Sequence, residues 1–527
     1  MAILDVGRAA VAEQEAVGWT ETTRLMCAAA YTEPTFAQEV VEELVEEDYR
    51  AVAVPPGVDP EPVVKHCLAA VGRKRLRDRV LAGSLVVAVL LLVSGGSLEA
   101  GVQLGWVAVA YYLVARFGHK RLLGPLLAVN FVISVLVLVV IGGGLVIVLL
   151  VAWATVAYDL WSATYGVVTK ELNVRTFDPA AAPEVASAEL ARRTAEVAER
   201  HAGNLTVYSK FLPFASSGFP VGGWSFVVDL RKGKEELSHR LEPEPVEPLD
   251  LYAGVERGLE ALGMSNLTIE DRVFVHGVDI RDDRVLLPSP IGRPSSSVPD
   301  AELRQLMIAP TSRVRHYKCI RVTDWRGQLV LSLYLRFGVA NGRLFCELRS
   351  VLLTPLKREL HRSDNISPEP ELGDLMRLAW RSLMSTPVLW FRSPFAVLRP
   401  LLRQRRRPTL LKQVKRNAFF DYGARETALD RARSSRYTRY FQILDKQMYV
   451  KVLERTILDS IVDVLDEHNI DPGEIVKRRD TIINNGIMTY AFEGDAAVGE
   501  GATFVKGGDR PPATGSDSGS GGSGHNV

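Results

Sequence analysis

His276 lies close in sequence to Asp279, Asp282 and Asp283, an oxygen- and nitrogen-donor set that a divalent cation could use. Arg281 and Arg284 are interleaved with these donors, and two guanidinium groups oppose a bound cation. The stretch therefore reads as a solvated turn, and no metal ligand is assigned. Cys27, Cys67, Cys319 and Cys346 are widely spaced with no CxxC pair, and nine histidines show no HxH or HExxH pattern. That leaves neither a zinc site nor a disulfide frame, and reduced thiols are expected. Gly218, Gly222, Gly223 and Trp224 form the best candidate for a ligand-cradling loop. It lacks the GxxxxGK[ST] order of a phosphate loop and the GxGxxG of a dinucleotide site, so a turn that re-aims a strand is the simpler use. No serine or cysteine has a recognisable base beside it in sequence. No catalytic residue and no cofactor follow from these patterns.

A different chemistry, contact with lipid, is written into Leu375–Phe420. This stretch has no acidic residue and eleven basic ones, among them Arg392, Arg399, Arg403, Arg405, Arg406 and Arg407. Trp380, Trp390 and Phe391 are interleaved with them. Indole and phenyl rings favour the headgroup layer, and guanidinium groups meet anionic lipid there. Pro387, Pro394 and Pro400 predict short helical pieces rather than one helix. Packing against the acidic helix at 39–48 is the alternative, and nucleic acid is the least favoured partner because net charge is only +1.

Two apolar blocks could carry such a surface segment to a bilayer. Val80–Val114 is interrupted only by Glu99 and Gln103, and Leu122–Tyr158 runs thirty-seven residues without a charge. Glycine-rich breaks at Ser94–Ser97 and Gly142–Gly144 suit reversals. The expected fold class is a membrane protein with four transmembrane α-helices in two hairpins, Val80–Ser94, Val102–Ala115, Leu122–Ile141 and Leu145–Tyr158, plus a cytoplasmic α+β domain and helical segments. Arg73, Lys74, Arg75, Arg77, Arg79, Arg116, Lys120, Arg121, Lys170 and Arg175 flank these spans on one side. Both termini are accordingly expected in the cytoplasm of a multi-pass inner-membrane protein. Asn130 and Asp159 are the polar groups within or beside the spans. An interhelical hydrogen bond and a solvated helix end explain them more simply than a transport pathway.

The remaining chain divides into modules. Residues 1–79 form a helical region without a cleavable signal peptide, in which Thr35 opens a capping box before an acidic helix. Residues 80–161 are the transmembrane region. Residues 177–355 make the α+β domain, with strands expected at Leu205–Tyr208, Trp224–Val228, Val273–Val275, Val285–Leu287, Arg315–Thr323, Leu329–Val339 and Arg343–Leu353. The Asn341-Gly342 pair between the last two signals a hairpin. Then follow the basic membrane-surface segment 368–420, a helical module 421–480 and a short β-prone segment 481–506. Residues 507–527 are Gly/Ser-rich and expected to be disordered.

Several stretches resemble a group of uncharacterised multi-spanning membrane proteins of actinobacteria. They are Tyr208-Ser-Lys-Phe-Leu-Pro-Phe214, Gly222-Gly-Trp-Ser-Phe226, Asp421-Tyr-Gly423, Tyr440-Phe-Gln442, Asn484-Asn-Gly-Ile487 and Ala497-Val-Gly499. The resemblance spans most of the chain after the third expected helix and implies a membrane setting, but no reaction. Lys210 stands where that group is expected to carry glycine.

The functional expectation is a non-enzymatic scaffold, sensor or effector whose partners are the lipid bilayer, anionic headgroups, and a protein partner or a second copy of the chain. A membrane-tethered enzyme using residues 204–355 and a small transporter or channel are the alternatives.

Overall fold

The computed structural model describes residues 20–47, 49–94, 143–214, 216–236, 239–417 and 419–479. Its centre is a six-stranded mixed sheet. The strands are β1 Leu205–Tyr208, β2 Phe219–Asp229, β3 Leu267–His276, β4 Val314–Asp324, β5 Leu329–Ala340 and β6 Arg343–Leu353. They lie in the order β1-β3-β4-β5-β6-β2, with β1 parallel to β3 and every other pair antiparallel. The sequence expectation holds for the β4–β5–β6 meander, whose Asn341-Gly342 turn has both residues at positive φ. Val285–Leu287 is not a strand: Asp283 holds it as a turn by accepting the Val285 and Leu286 N–H groups.

Alternation along the strands sends Val273, Val275, Ile320, Leu333 and Leu348 to one face, which is fully buried. Two helices cover it, α6 Pro248–Glu260 and α9 Tyr440–Glu467. They approach closely because Gly254 and Gly258 face Val464 and Ser460, where a Cβ would come within 2.2 and 2.1 Å. The opposite face carries Phe274, Tyr317, Cys319, Tyr334 and Val351, and Phe214 stacks on Tyr334 at 4.3 Å. The 421–480 segment is therefore a structural part of the sheet domain rather than a separate module.

A second core joins the N-terminal helices to distant parts of the chain. It holds α1 Glu21–Thr32 and α2 Phe36–Val40, with Leu172, Val197, Leu360 and Leu429. Thr20 caps α1 by accepting the Thr23 N–H, whereas Thr35 makes no side-chain cap for α2. The acidic helix is shorter than expected, passing at Val41–Glu46 into a π-helical turn. Arg24 is buried and donates to the Leu172 carbonyl at 2.8 Å and to Asp364 at 2.7 Å, so residues 1–79 are not an independent unit.

The expectation of four transmembrane helices in two hairpins is overturned. Among the described residues one helical stretch, Gly144–Val168, is long and apolar enough to cross a membrane by length and composition. Most of the described chain is instead an α+β body. Val80–Ser94 is no separate span but the end of α3 Pro60–Ser94, a helix that already runs through the charged turns Arg73–Arg79. Leu145–Tyr158 falls within α4 Gly143–Trp161. The expected spans Val102–Ala115 and Leu122–Ile141, with Asn130, lie outside the described residues, as do the segments 481–506 and 507–527.

The basic segment also differs. Leu372–Arg416 is one helix, here α8, with α5 Ala188–Ala202 and α7 Asp300–Ile308 completing the helices in use. Its prolines do not break it. Pro394 leaves the Trp390 carbonyl without its usual N–H donor, and the Ser393 hydroxyl donates to that oxygen at 2.7 Å.

Candidate lipid-contact site

The site is built where α8 crosses α3 and α4. Leu81, Ala88 and Leu92 of α3 and Leu145, Ala152 and Val156 of α4 interdigitate, and Trp390 of α8 closes the cluster. Two indoles fix the crossing through their N–H groups: Trp390 donates to Ser84 at 2.8 Å and Trp153 to Ser382 at 2.9 Å. Buried indole N–H groups need such acceptors. Beyond this crossing α3 and α4 continue side by side, and a Cβ on Gly144 would sit 3.6 Å from Leu91.

An ionic collar lies at the foot of the pair. The Asp159 carboxylate is 8 % exposed and meets Arg73 Nε at 3.0 Å and Arg77 Nη1 at 3.1 Å. Arg77 also binds Asp78 at 2.7 Å. Asp159 is thus committed to clamping α4 against α3, which accounts for it without a transport role. From Asp159 to Gly144 the helix rises about 22 Å.

Above the collar the outer surface is apolar. Val86, Val89, Leu90 and Val93 of α3 and Ile147, Leu150 and Val151 of α4 are all exposed, Val93 at 74 % and Ile147 at 63 %. Only 22 % of the most apolar window of Gly144–Val168 is buried, whereas the core helix of a water-soluble fold would be mostly covered. Both ends of α8 return to the α+β body. Before it, Asp364 binds Arg24; along it, Arg399 approaches Glu42 at 3.8 Å; near its end Val414 is buried and its carbonyl accepts from Arg281 at 3.3 Å. The helix is a strap across the base of the apolar pair.

The residues singled out in the sequence fall into three groups. Trp380 is 64 % exposed, Arg392 and Arg399 are exposed on the strap, and Phe391 is half-buried. Trp390 is 3 % exposed, so it is a core residue of the crossing and not a ring facing headgroups. Arg403, Arg405, Arg406 and Arg407 continue the strap, but their side chains lie outside the described residues. The acidic stretch 39–47 is occupied within the molecule: Arg431 meets Glu39 at 2.9 Å and Glu43 at 2.7 Å, and Arg75 lies 3.6 Å from Glu46.

The glycine loop is not a cradle. Gly222, Gly223 and Trp224 belong to β2, paired to β6 with a register shift between Pro220 and Gly222. Gly218, at φ +103°, packs so closely that a Cβ would reach the Leu352 carbonyl at 2.0 Å. Trp224 stacks on Phe226 at 5.0 Å. His276 packs edge-on against Tyr208 at 5.2 Å, and its Nδ1 accepts the Val278 N–H. Among the described residues no group of three or more His, Cys, Asp and Glu side chains could hold a metal ion. All four cysteines are buried free thiols, and desolvation pushes each thiol up, which suppresses thiolate reactivity.

Two stretches of the noted resemblance do meet. Ala424 donates to the Val207 carbonyl at 2.8 Å and accepts from Ser209 at 3.1 Å, so Asp421–Ala424 runs along β1. Lys210 there has φ +66°, the left-handed backbone that glycine adopts without cost. Sequence reasoning missed Ser84, Trp153 and Ser382. Their only signal is a small hydroxyl or a tryptophan within an apolar run.

A family model described as an AbeC-like domain matches residues 223–497, more than half of the chain. No curated protein and no solved structure matches.

Proposed function

The chain belongs to the AbeC-like domain family, and from the helix crossing we propose that it is a membrane-seated, non-enzymatic scaffold or sensor. The apolar outer faces of α3 and α4 are solvated by lipid, α8 straps the headgroup layer, and the six-stranded domain stands at the inner leaflet. One observation carries this reading: the exposed aliphatic side chains from Val86 to Val93 and from Ile147 to Val151 form a continuous apolar surface above an arginine collar. Full burial of each such side chain gains about 1.5–3 kcal/mol, so water is a poor solvent for the surface they make.

The collar supports the cytoplasmic side. Arg73, Arg77 and the exposed Arg75 and Arg79 are at the foot of α3, and Lys170 and Arg175 follow α4, consistent with basic flanks facing the cytoplasm. Exposed Trp380, Phe395, Leu398 and Leu402 on α8, beside Arg392 and Arg399, give the strap the composition of an interfacial helix.

Cell fractionation of the full chain tests the proposal. The protein should sediment with membranes, resist a carbonate wash and need detergent for release. Recovery in the supernatant after the wash would overturn it.

A further inference from the structure

A polar cavity of about 50 Å³ lies between the aromatic face of the sheet, the end of α5 and the extended segment Val52–Pro56. It is lined by Arg200 and His201 of α5, Arg272 of β3 and Arg321 of β4, with the Tyr334 ring at its side. One carboxylate, Glu270, serves two of these arginines, Arg272 and Arg321. Glu270 takes Arg272 at 3.1 and 3.3 Å and Arg321 at 2.5 Å. Arg272 also donates to the Gly203 carbonyl at 2.7 Å, and Arg200 donates to the Pro294 carbonyl.

Two donors remain. Arg321 Nε and Arg200 Nε are buried with no hydrogen-bond partner among the described residues. A guanidinium N–H left buried and unpaired bears a desolvation penalty that a bound acceptor would offset. Three guanidinium groups line the cavity and no carboxylate does, which leaves it positive, although Glu270 pairs with two of them from outside the lining and Glu196 and Glu199 lie near Arg200 on its own helix. His201 reports the same field: burial together with Arg272 and Arg321 depresses its imidazole to about 4, so it is neutral and able to accept or donate one hydrogen bond. The space corresponds to about four water-sized spheres.

We propose that this cavity is a binding site for a small oxyanion of the phosphate class, held by Arg200, His201, Arg272 and Arg321. A tetrahedral oxyanion presents acceptors to both orphaned N–H groups at once and offsets the surplus charge. The small volume, about 50 Å³ with Val52–Pro56 along one side, favours a free ion over a lipid headgroup. The site is independent of where the apolar helices sit, so its failure and that of the membrane reading are separable.

The test uses the full chain in detergent and follows thermal unfolding against inorganic phosphate, with sodium chloride at matched ionic strength as control. Phosphate should raise the midpoint saturably by at least about 3 °C, and chloride should not. Arg200→Gln, on the surface helix, and Arg321→Gln should each weaken phosphate binding tenfold or more. Glu270→Gln removes the competing carboxylate and should tighten binding about fivefold, a gain that misfolding does not produce. Equal responses to phosphate and chloride, or unchanged affinity in Arg200→Gln together with no gain in Glu270→Gln, would overturn the site. A response to short-chain phosphatidic acid without one to inorganic phosphate would equally overturn the free-ion assignment.

Discussion

The Trp390 indole donates its N–H to the Ser84 hydroxyl at 2.8 Å, joining two residues 306 positions apart in the chain. That bond fixes where the strap α8 crosses α3. Truncating Trp390 removes a large buried ring as well as the bond. Trp390→Ala should therefore cost about 3–5 kcal/mol, and Ser84→Ala about 1 kcal/mol. Unfolding of each variant in detergent measures this. Trp380→Ala, at an exposed ring, is the control, and equal losses at positions 380 and 390 would contradict the crossing.

The collar gives a coupling prediction. Asp159→Asn leaves half-buried Arg73 without its carboxylate and Arg77 with Asp78 alone, for a loss of about 2–3 kcal/mol. Arg77→Gln alone should cost less, because Arg73 still holds Asp159. The double variant should fall short of the sum by at least about 1 kcal/mol. Strict additivity in a double-mutant cycle would show that the two side chains do not interact.

Backbone conformation around the β1–β2 connection sets two opposite outcomes. Gly218→Ala forces a side chain into φ +103° and onto the Leu352 carbonyl, so the midpoint of unfolding should drop by several degrees. Lys210→Gly relieves a left-handed lysine at φ +66° and should be neutral or stabilising by up to about 1 kcal/mol. A destabilised Lys210→Gly protein would mean that the lysine side chain, and not the backbone, holds the turn.

These positions also show what could be read without coordinates. The β4–β5–β6 meander was legible because strict alternation from Leu329 to Val339 and the Asn341-Gly342 turn are local signals. The glycine loop was located but not understood, since only the proximity of Leu352 shows that Gly218 serves packing. The four-helix membrane expectation failed for a related reason. Hydropathy marks the apolar run after Arg79 but is silent on the fact that α3 continues unbroken from Pro60. Prolines misled in α8 because Ser393 supplies the donor that Pro394 lacks. The oxyanion cavity was invisible, as Arg200, Arg272 and Arg321 come from three separate elements.

Glu454 carries the pH prediction. It is buried in α9, and desolvation raises its carboxyl to about 7. Between about pH 4.5 and 7 the folded chain holds a proton that the unfolded chain releases. Stability from this group therefore falls as pH rises through that window, by about 3 kcal/mol in all, and is flat above it. Buried His66 and half-buried His201, held neutral down to about pH 4, act in the opposite sense over an overlapping range. The difference between wild type and Glu454→Gln isolates the carboxyl. The variant should gain relative stability with rising pH, and a pH-independent difference would contradict the assignment.

On the proposed reading, lipid and not water surrounds α3 and α4 above the collar. Single cysteines at Leu90, Val93 and Ile147, in a background where the four buried native thiols stay unreactive, probe it directly with a membrane-impermeant maleimide in intact membranes. No labelling is expected at these three positions until detergent or denaturant is added, while a cysteine at exposed Arg377 on the strap labels readily from the cytoplasmic side. Rapid labelling of positions 90, 93 and 147 in intact, cytoplasm-accessible membranes would contradict it.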